Sequence, residues 1–270
     1  MPEYCWALGV EYDGRYFHGW QRQRDVASAQ GALEEALGVI AAEPIRLAAA
    51  GRTDAGVHAT SQVASFVTHA VRPERAWIQG VNSHLPAGVC VVWAQAVPTD
   101  FHARFSAVAR RYLYLYREET SPSALGRHQW WGGRALDTDA MHQAAQSLLG
   151  EQDFSALRAA GCQSPTPWRC VHRVSVARVG QLVVLDIEAN AFLLHMVRNI
   201  ASMLQQVGAG SQKVSWPAEL LAKRDRTSLG PTAPPEGLYL VEVRYAPDLG
   251  VPGLRVPPAL AALTVRNPLL

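Results

Sequence analysis

The sequence predicts an α/β (α+β) protein of two ferredoxin-like βαββαβ halves, each with a mainly antiparallel sheet and helices covering one face. Three observations lead there. One order of segments (strand, helix, strand, strand, helix, strand) runs through the first hundred residues and recurs in the second half. The strand segments alternate and are rich in β-branched and aromatic residues. The helical segments place apolar residues three and four apart.

In the first half Tyr4–Tyr12 reads as a strand, and Ser28 opens a helix with Leu33, Ala36, Leu37 and Ile40 in phase. Ile45–Ala50 and Ser61–Val67 read as strands on either side of a glycine-flanked loop. Pro73 starts a second helix with Trp77, Ile78, Val81 and Leu85 on one face, and Val89–Val97 is the closing strand. The second half repeats the order. Ala109–Tyr116 is a strand, and Asp137 caps a helix with Met141, Ala144, Ala145 and Leu148 aligned. Val171–Val179 and Leu182–Ala189 form a hairpin around Gly180-Gln181. Phe192–Val207 is a helix stopped by Gly208 and Gly210, and Leu238–Tyr245 is the last strand.

These segments divide the chain near Phe105, into residues 1–105, residues 106–246 and a Pro- and Leu-rich tail, 247–270, expected to pack on a surface. A groove is expected between the halves. Arg117–Leu136 and Gly150–Arg169 exceed ordinary connection lengths, so they are functional or contain short elements of their own.

At 270 residues, 49% hydrophobic and 18% charged, the composition is that of an ordinary globular protein. No apolar run is long enough to span a bilayer, and Met1-Pro2-Glu3 does not begin a signal peptide. Cys5, Cys90, Cys162 and Cys170 lack the spacing of a disulfide framework, so a reducing, cytoplasmic location is expected. Of 25 basic residues only Lys213 and Lys223 are lysine. Arginine's planar fork suits phosphates and stacked bases, although codon bias explains the excess at least as well. A net charge of +2 is weak support for a polyanionic partner. Cys162, Cys170 and His172 match no standard zinc spacing and read as structural groups, and no phosphate-binding glycine loop is present.

The segment richest in information is Gly51-Arg52-Thr53-Asp54-Ala55-Gly56-Val57-His58, which follows the apolar run Leu47–Ala50. Its glycines let the backbone turn sharply or approach a ligand closely, and Asp54 sits on a short tether at a strand end. Taken alone, such an aspartate is most simply a loop-capping residue. Tyr112, Tyr114 and Tyr116 alternate and share one strand face, where a half-buried aromatic surface is the plain reading. A mid-helix Arg198 is by default solvated or salt-bridged, and Leu238 a core leucine.

The Gly51–His58 segment resembles the signature of the tRNA pseudouridine synthases of the TruA type. So do Tyr16-Phe-His-Gly-Trp20-Gln-Arg22-Gln23, Asp100-Phe-His-Ala-Arg104-Phe-Ser-Ala107 with Ala109-Arg-Arg111-Tyr112-Leu-Tyr114, Asn190–Asn199, and Glu236-Gly-Leu238-Tyr239-Leu240. Five matches in one order are specific, whereas a Gly-x-x-Asp loop alone is not. The resemblance implies the pseudouridine-synthase fold, in which the sheets of the two halves join around a central RNA cleft, and a homodimer. It implies isomerisation of uridine to pseudouridine in the anticodon arm of tRNA, at positions 38, 39 and 40, with base flipping.

By the same resemblance Asp54 is the catalytic nucleophile or base, and the choice between ribose and uracil as its target stays open. Tyr112 stacks on the target uracil, with a proton-moving role left open. Arg198 is the partner that keeps Asp54 ionised, Arg52 contacts RNA, and Leu238 covers the other face of the base. Arg22, Arg104 and Arg111 are further candidate RNA contacts. Leu194 stands where the family often has a second histidine before His195, and Arg117–Leu136 is poorly matched. The reaction gains no atom and changes no oxidation state, so no cofactor or metal is expected. An RNA-binding module without catalysis is disfavoured by the joint presence of Asp54, Tyr112 and Arg198. A nucleoside or glycoside hydrolase is disfavoured because no second carboxylate accompanies Asp54.

Overall fold

The computed structural model describes residues 2–118, 130–131 and 135–256, the last stretch including the start of the tail; most of Arg117–Leu136 and all of 257–270 lie outside the described residues. The chain divides into two compact units. One comprises the residues up to Arg110 together with Tyr239–Val256, and the other runs from Arg111 to Leu238.

In the first unit β1 (Tyr4–Tyr12), α1 (Ala29–Ala41), β2 (Ala48–Ala49), β3 (His58–Thr68) and β4 (Val89–Val97) follow one another. The sheet order is β4-β1-β3 with β2 on the far edge of β3, which is the ferredoxin-like order. β1 runs antiparallel to both neighbours, with Trp6 opposite Phe66 on one side and Ala96 on the other. Ser28 caps α1 by accepting the Gly31 N–H, and Leu33 and Leu37 are fully buried. The expected second helix is present over residues 74–82, with its middle, Ala76–Gly80, wound as a π-helix. Its Trp77 is fully buried, with Phe66 edge-on at 5.1 Å and Trp6 at 5.9 Å. One tryptophan therefore fastens this helix to two adjacent strands.

The last strand, β10 (Leu238–Arg244, numbered after those of the second unit), reaches β3 in parallel, with Tyr239 opposite His58 and Leu240 opposite Ala59. β2 pairs with the other end of the same edge, Ala48 opposite Ser65. The expected strand Ile45–Ala50 shortens to two residues, and just before them side chains of α1 take the backbone of Leu47: its N–H donates to Glu34 and its carbonyl accepts from Gln30. Residues beyond β10 then cross this unit. Ser61 Oγ donates to Gly253 O at 3.0 Å, Gln95 Nε2 to Leu249 O at 2.8 Å, the Thr60 hydroxyl to Arg255 O, and Arg255 pairs with Glu11. The described part of the tail thus packs on the unit's surface.

The second unit contains β5 (Ala109–Arg117), the two-residue strand β6 (Trp130–Trp131), α2 (Thr138–Ala145), β7 (Gly150–Asp153), β8 (Trp168–Val179), β9 (Leu182–Ala189), α3 (Met196–Gly208) and α4 (Trp216–Lys223). Its sheet order is β5-β9-β8-β7, and β8 and β9 form the expected antiparallel hairpin. Asp137 caps α2 by accepting the Ala140 N–H. Gly208 brings α3 against Met141, where a Cβ would lie 2.6 Å from the methionine sulfur. The long connection after Gly150 holds β7 and a 3-10 turn, Ser155–Leu157. Among the described residues no helix is long and apolar enough to cross a membrane.

Candidate active site

Asp54 lies on the loop between β2 and β3, and the groups beneath the loop fix it. Thr53 is used twice: its hydroxyl is 2.7 Å from Tyr12 Oη, and its carbonyl accepts Trp20 N–H at 3.0 Å. Gln62 Nε2 donates to Gly51 O at 2.6 Å and reaches Tyr12 Oη at 3.4 Å. Val57 N donates to Asp54 O, closing the turn in which Gly56 has φ +81°. Gly51, expected to bend the chain, does not take a left-handed φ. Gly14 is the tightest approach: a Cβ there would lie 2.3 Å from Val57 O.

Thr53 is buried while Arg52 is exposed and Asp54 half-buried, so the loop turns its threonine inward. Tyr12 lies wholly inside. Burial pushes its hydroxyl up to about 12, outweighing the hydrogen bonds with Thr53 and Gln62 that lower it. At the loop's far end His58 is 2% exposed and stacks on Tyr239, with ring centres 4.7 Å apart. His58 Nδ1 accepts the Gly14 N–H at 3.1 Å, so the Asp13 oxygen 3.2 Å away is a neighbour and not its hydrogen-bond acceptor. Burial raises the Asp13 pKa, but hydrogen bonds from Arg15 outweigh it and hold the carboxyl below its ordinary value.

In the second unit Tyr112 is 7% exposed, and its ring meets Phe192 edge-on at 5.1 Å. Tyr114 and Tyr116 lie 4.8 Å apart, donating to Pro234 O at 2.8 Å and Ala201 O at 2.9 Å. Burial raises both hydroxyls well above their usual range. Arg198 lies in the first turn of α3 and not mid-helix, because His195 takes φ +59° and the helix starts at Met196 and not Phe192. Arg198 Nε donates to Ala233 O at 2.8 Å. The approach to α3 is clipped from both sides of Leu194: its N–H donates to Cys162 Sγ at 3.4 Å, and its carbonyl accepts Ala159 N–H at 3.1 Å. Burial raises the Cys162 thiol, but N–H groups of Leu194 and Ser164 and the Arg158 guanidinium outweigh it, leaving its pKa below the ordinary value.

The other expected RNA contacts have varied surroundings. Arg111 is 7% exposed and holds Asp186 through two bonds, 2.8 and 2.6 Å. Arg22 pairs at 3.1 Å with Glu34, a carboxylate on α1 that is 4% exposed and also accepts Leu47 N–H. Arg22 and Arg24 line an open hollow of about 570 Å³ with Phe17, Val26 and Pro86; Asp54 does not line it. Arg104 is exposed beside Phe105. Leu238, at the start of β10, is 5% exposed. Among the described residues no three His, Cys, Asp or Glu side chains converge as a metal site. Sequence reasoning passed over Tyr12, Trp20 and Gln62, the groups that hold the loop; a glutamine inside an apolar strand was the readable signal, since buried polar groups need partners.

A family model described as tRNA pseudouridine synthase matches residues 9–106 and 144–246. A tRNA pseudouridine synthase A of Shewanella amazonensis is 53% identical over 253 residues, covering 93% of this chain and 97% of that one. Proteins of the same name from Aeromonas hydrophila and Yersinia pestis are 55% and 52% identical, over 93% and 95% of this chain and 94% and 97% of their own.

Proposed function

This chain belongs to the tRNA pseudouridine synthase family of isomerases, which act on uridine in tRNA, and on that premise we propose that it modifies positions 38, 39 and 40 of the anticodon stem-loop with Asp54 as the reacting group. The observation that carries the assignment of Asp54 is the loop itself. Its threonine and its Gly51 and Thr53 carbonyls are held from within, and among its residues only Asp54 has a carboxylate to offer a substrate.

The reaction breaks C1′–N1, forms C1′–C5, gives up the C5 proton to solvent and leaves N1 protonated. One carboxylate suffices, adding to C1′ or to the uracil ring and leaving again. Extruding the nucleotide from its stack needs a flat wall and a residue that engages the flipped base; Tyr112 and Leu238 fill these roles, Arg52 aids extrusion and Arg198 supplies the positive charge. Recognition of one region in many tRNAs suits arginine contacts to backbone and shape more than base-edge readout. The working form in this proposal is a cytoplasmic homodimer.

The test is release of the uracil C5 hydrogen from labelled, unmodified tRNA, with pseudouridine then mapped by position. Wild type should release it from positions 38–40. Asp54→Asn should fold, bind tRNA within a few-fold and fall below detection, because asparagine keeps the shape and removes the nucleophile. Wild-type release by Asp54→Asn would overturn the assignment.

A further inference from the structure

Phe105 is the most exposed large hydrophobic residue among those described, at 76%, yet the turn that carries it is tightly built. Ser106 N donates to His102 O at 2.9 Å, and His102 N to Ser106 Oγ at 3.0 Å. Ala103, wholly buried, donates to Ser65 Oγ at 3.0 Å and accepts from Tyr245 Oη at 2.7 Å. Arg110 is 8% exposed and spends its guanidinium on neutral carbonyls: Arg104 O at 2.6 Å, Ala107 O at 3.1 Å and Ala50 O at 2.9 Å. Ala50 immediately precedes the Asp54 loop, so one buried side chain joins the Phe105 turn to that loop.

Two neighbours pack against the exposed ring. The His102 ring lies 4.4 Å from it, tilted by 37°, and the Arg104 guanidinium carbon is 5.6 Å from its centre. Nδ1 of His102 accepts the N–H groups of Arg104 and Phe105, which fixes the imidazole. A phenyl ring held out on a rigid turn, beside an exposed arginine, combines a stacking surface with a cation for phosphate. These are the two elements by which proteins hold unpaired nucleotides.

We propose that Phe105 is a stacking platform for an unpaired base of the bound tRNA, with Arg104 contacting an adjacent phosphate. This rests on the tRNA reading above and adds a contact separate from the Asp54 loop. Stacking tolerates any base, so the platform contributes affinity and positioning without sequence preference.

The experiment is equilibrium binding of unmodified tRNA across a salt series, with thermal unfolding and sedimentation for each variant. Phe105→Ala should weaken binding roughly 5- to 150-fold, the worth of one base–aromatic stack, and leave the salt slope unchanged because no phosphate contact is lost. Phe105→Tyr should bind within about threefold and Phe105→Leu should resemble the alanine variant, as a stacking role requires. Arg104→Ala should reduce the slope by about one contact. Wild-type affinity in Phe105→Ala overturns the inference and spares the tRNA reading. Conversion of a wild-type dimer to monomer by Phe105→Ala also overturns it, since the ring would then be covered by a second copy of the chain. A wild-type protein that binds no tRNA at any salt overturns both.

Discussion

The loop Gly51–Val57 is held by several neutral hydrogen bonds from Tyr12, Gln62 and Trp20, whereas β5, the strand of Tyr112, is tied to β9 by the buried pair Arg111–Asp186. Each neutral bond contributes about 0.5–1.5 kcal/mol net, and the loop depends heavily on none of them. A buried ion pair concentrates dependence: breaking it strands a charge in a poor solvent. A loop can thus be rigid through many small ties, while a strand can rest on one expensive tie.

The sharpest way to break this contrast is Arg111→Ala. Asp186 is 3% exposed, and its remaining cation, Arg173, is 3.4 Å away and half-exposed. Loss of stability should be about 3–5 kcal/mol, towards the lower end because Arg173 compensates in part. Urea unfolding measures it. The double variant Arg111→Met/Asp186→Leu should recover most of the loss, and a cost below 1 kcal/mol in the single variant would show that the pair is not the anchor described.

Tyr12→Phe sharpens the other side of the comparison. It should cost about 0.5–1.5 kcal/mol at neutral pH and lower turnover only modestly, because Gln62 still holds Gly51. Its pH dependence has a defined sign. The folded-state pKa, about 12, is raised above the ordinary tyrosine value of 10.0, so this contribution is full below about pH 10 and is lost as pH rises towards 12. The stability gap between wild type and Tyr12→Phe should therefore narrow across that window. A gap independent of pH would place the hydroxyl in water.

The smallest effect belongs to Arg255→Ala. Both partners of the Arg255–Glu11 pair are more than a third exposed, so the change should cost no more than about 1 kcal/mol and shrink further in salt. The backbone bond Arg255 N to Val241 O persists in the variant. A larger loss in thermal unfolding would mean that the crossing segment depends on this charge and not on its backbone bonds.

The parts legible in the sequence were those governed by local chemistry. Tyr4–Tyr12 and Val89–Val97 are strands with the expected limits, and Ser28 and Asp137 cap helices through side chains whose preference is local. The parts that differed depend on distant residues. Ile45–Ala50 shortens where Glu34 and Gln30, on α1, take the backbone N–H and carbonyl of Leu47. The helix expected from Phe192 waits until Met196 because the loop at Ala159–Cys162 clips Leu194. The signature loop was readable as a pattern; its supports Tyr12, Gly14 and Trp20 were not, since only folding brings them within 3 Å or so of Thr53 and Val57.

The shared edge of β3 also has a consequence for how the protein is made. The unit that carries Asp54 is written in two instalments, with residues 111–238 translated between them. At about 5–20 residues per second this interval lasts roughly 6 to 26 s. Throughout it the chain already holds Tyr12, Thr53 and Gln62, while β3 presents His58–Ala59 as a bare edge and Thr60 and Ser61 lack the carbonyls they later meet. Such an edge is a template for pairing with other nascent strands. A chain stalled on the ribosome before Tyr239 would carry its Asp54 loop on an unfinished sheet.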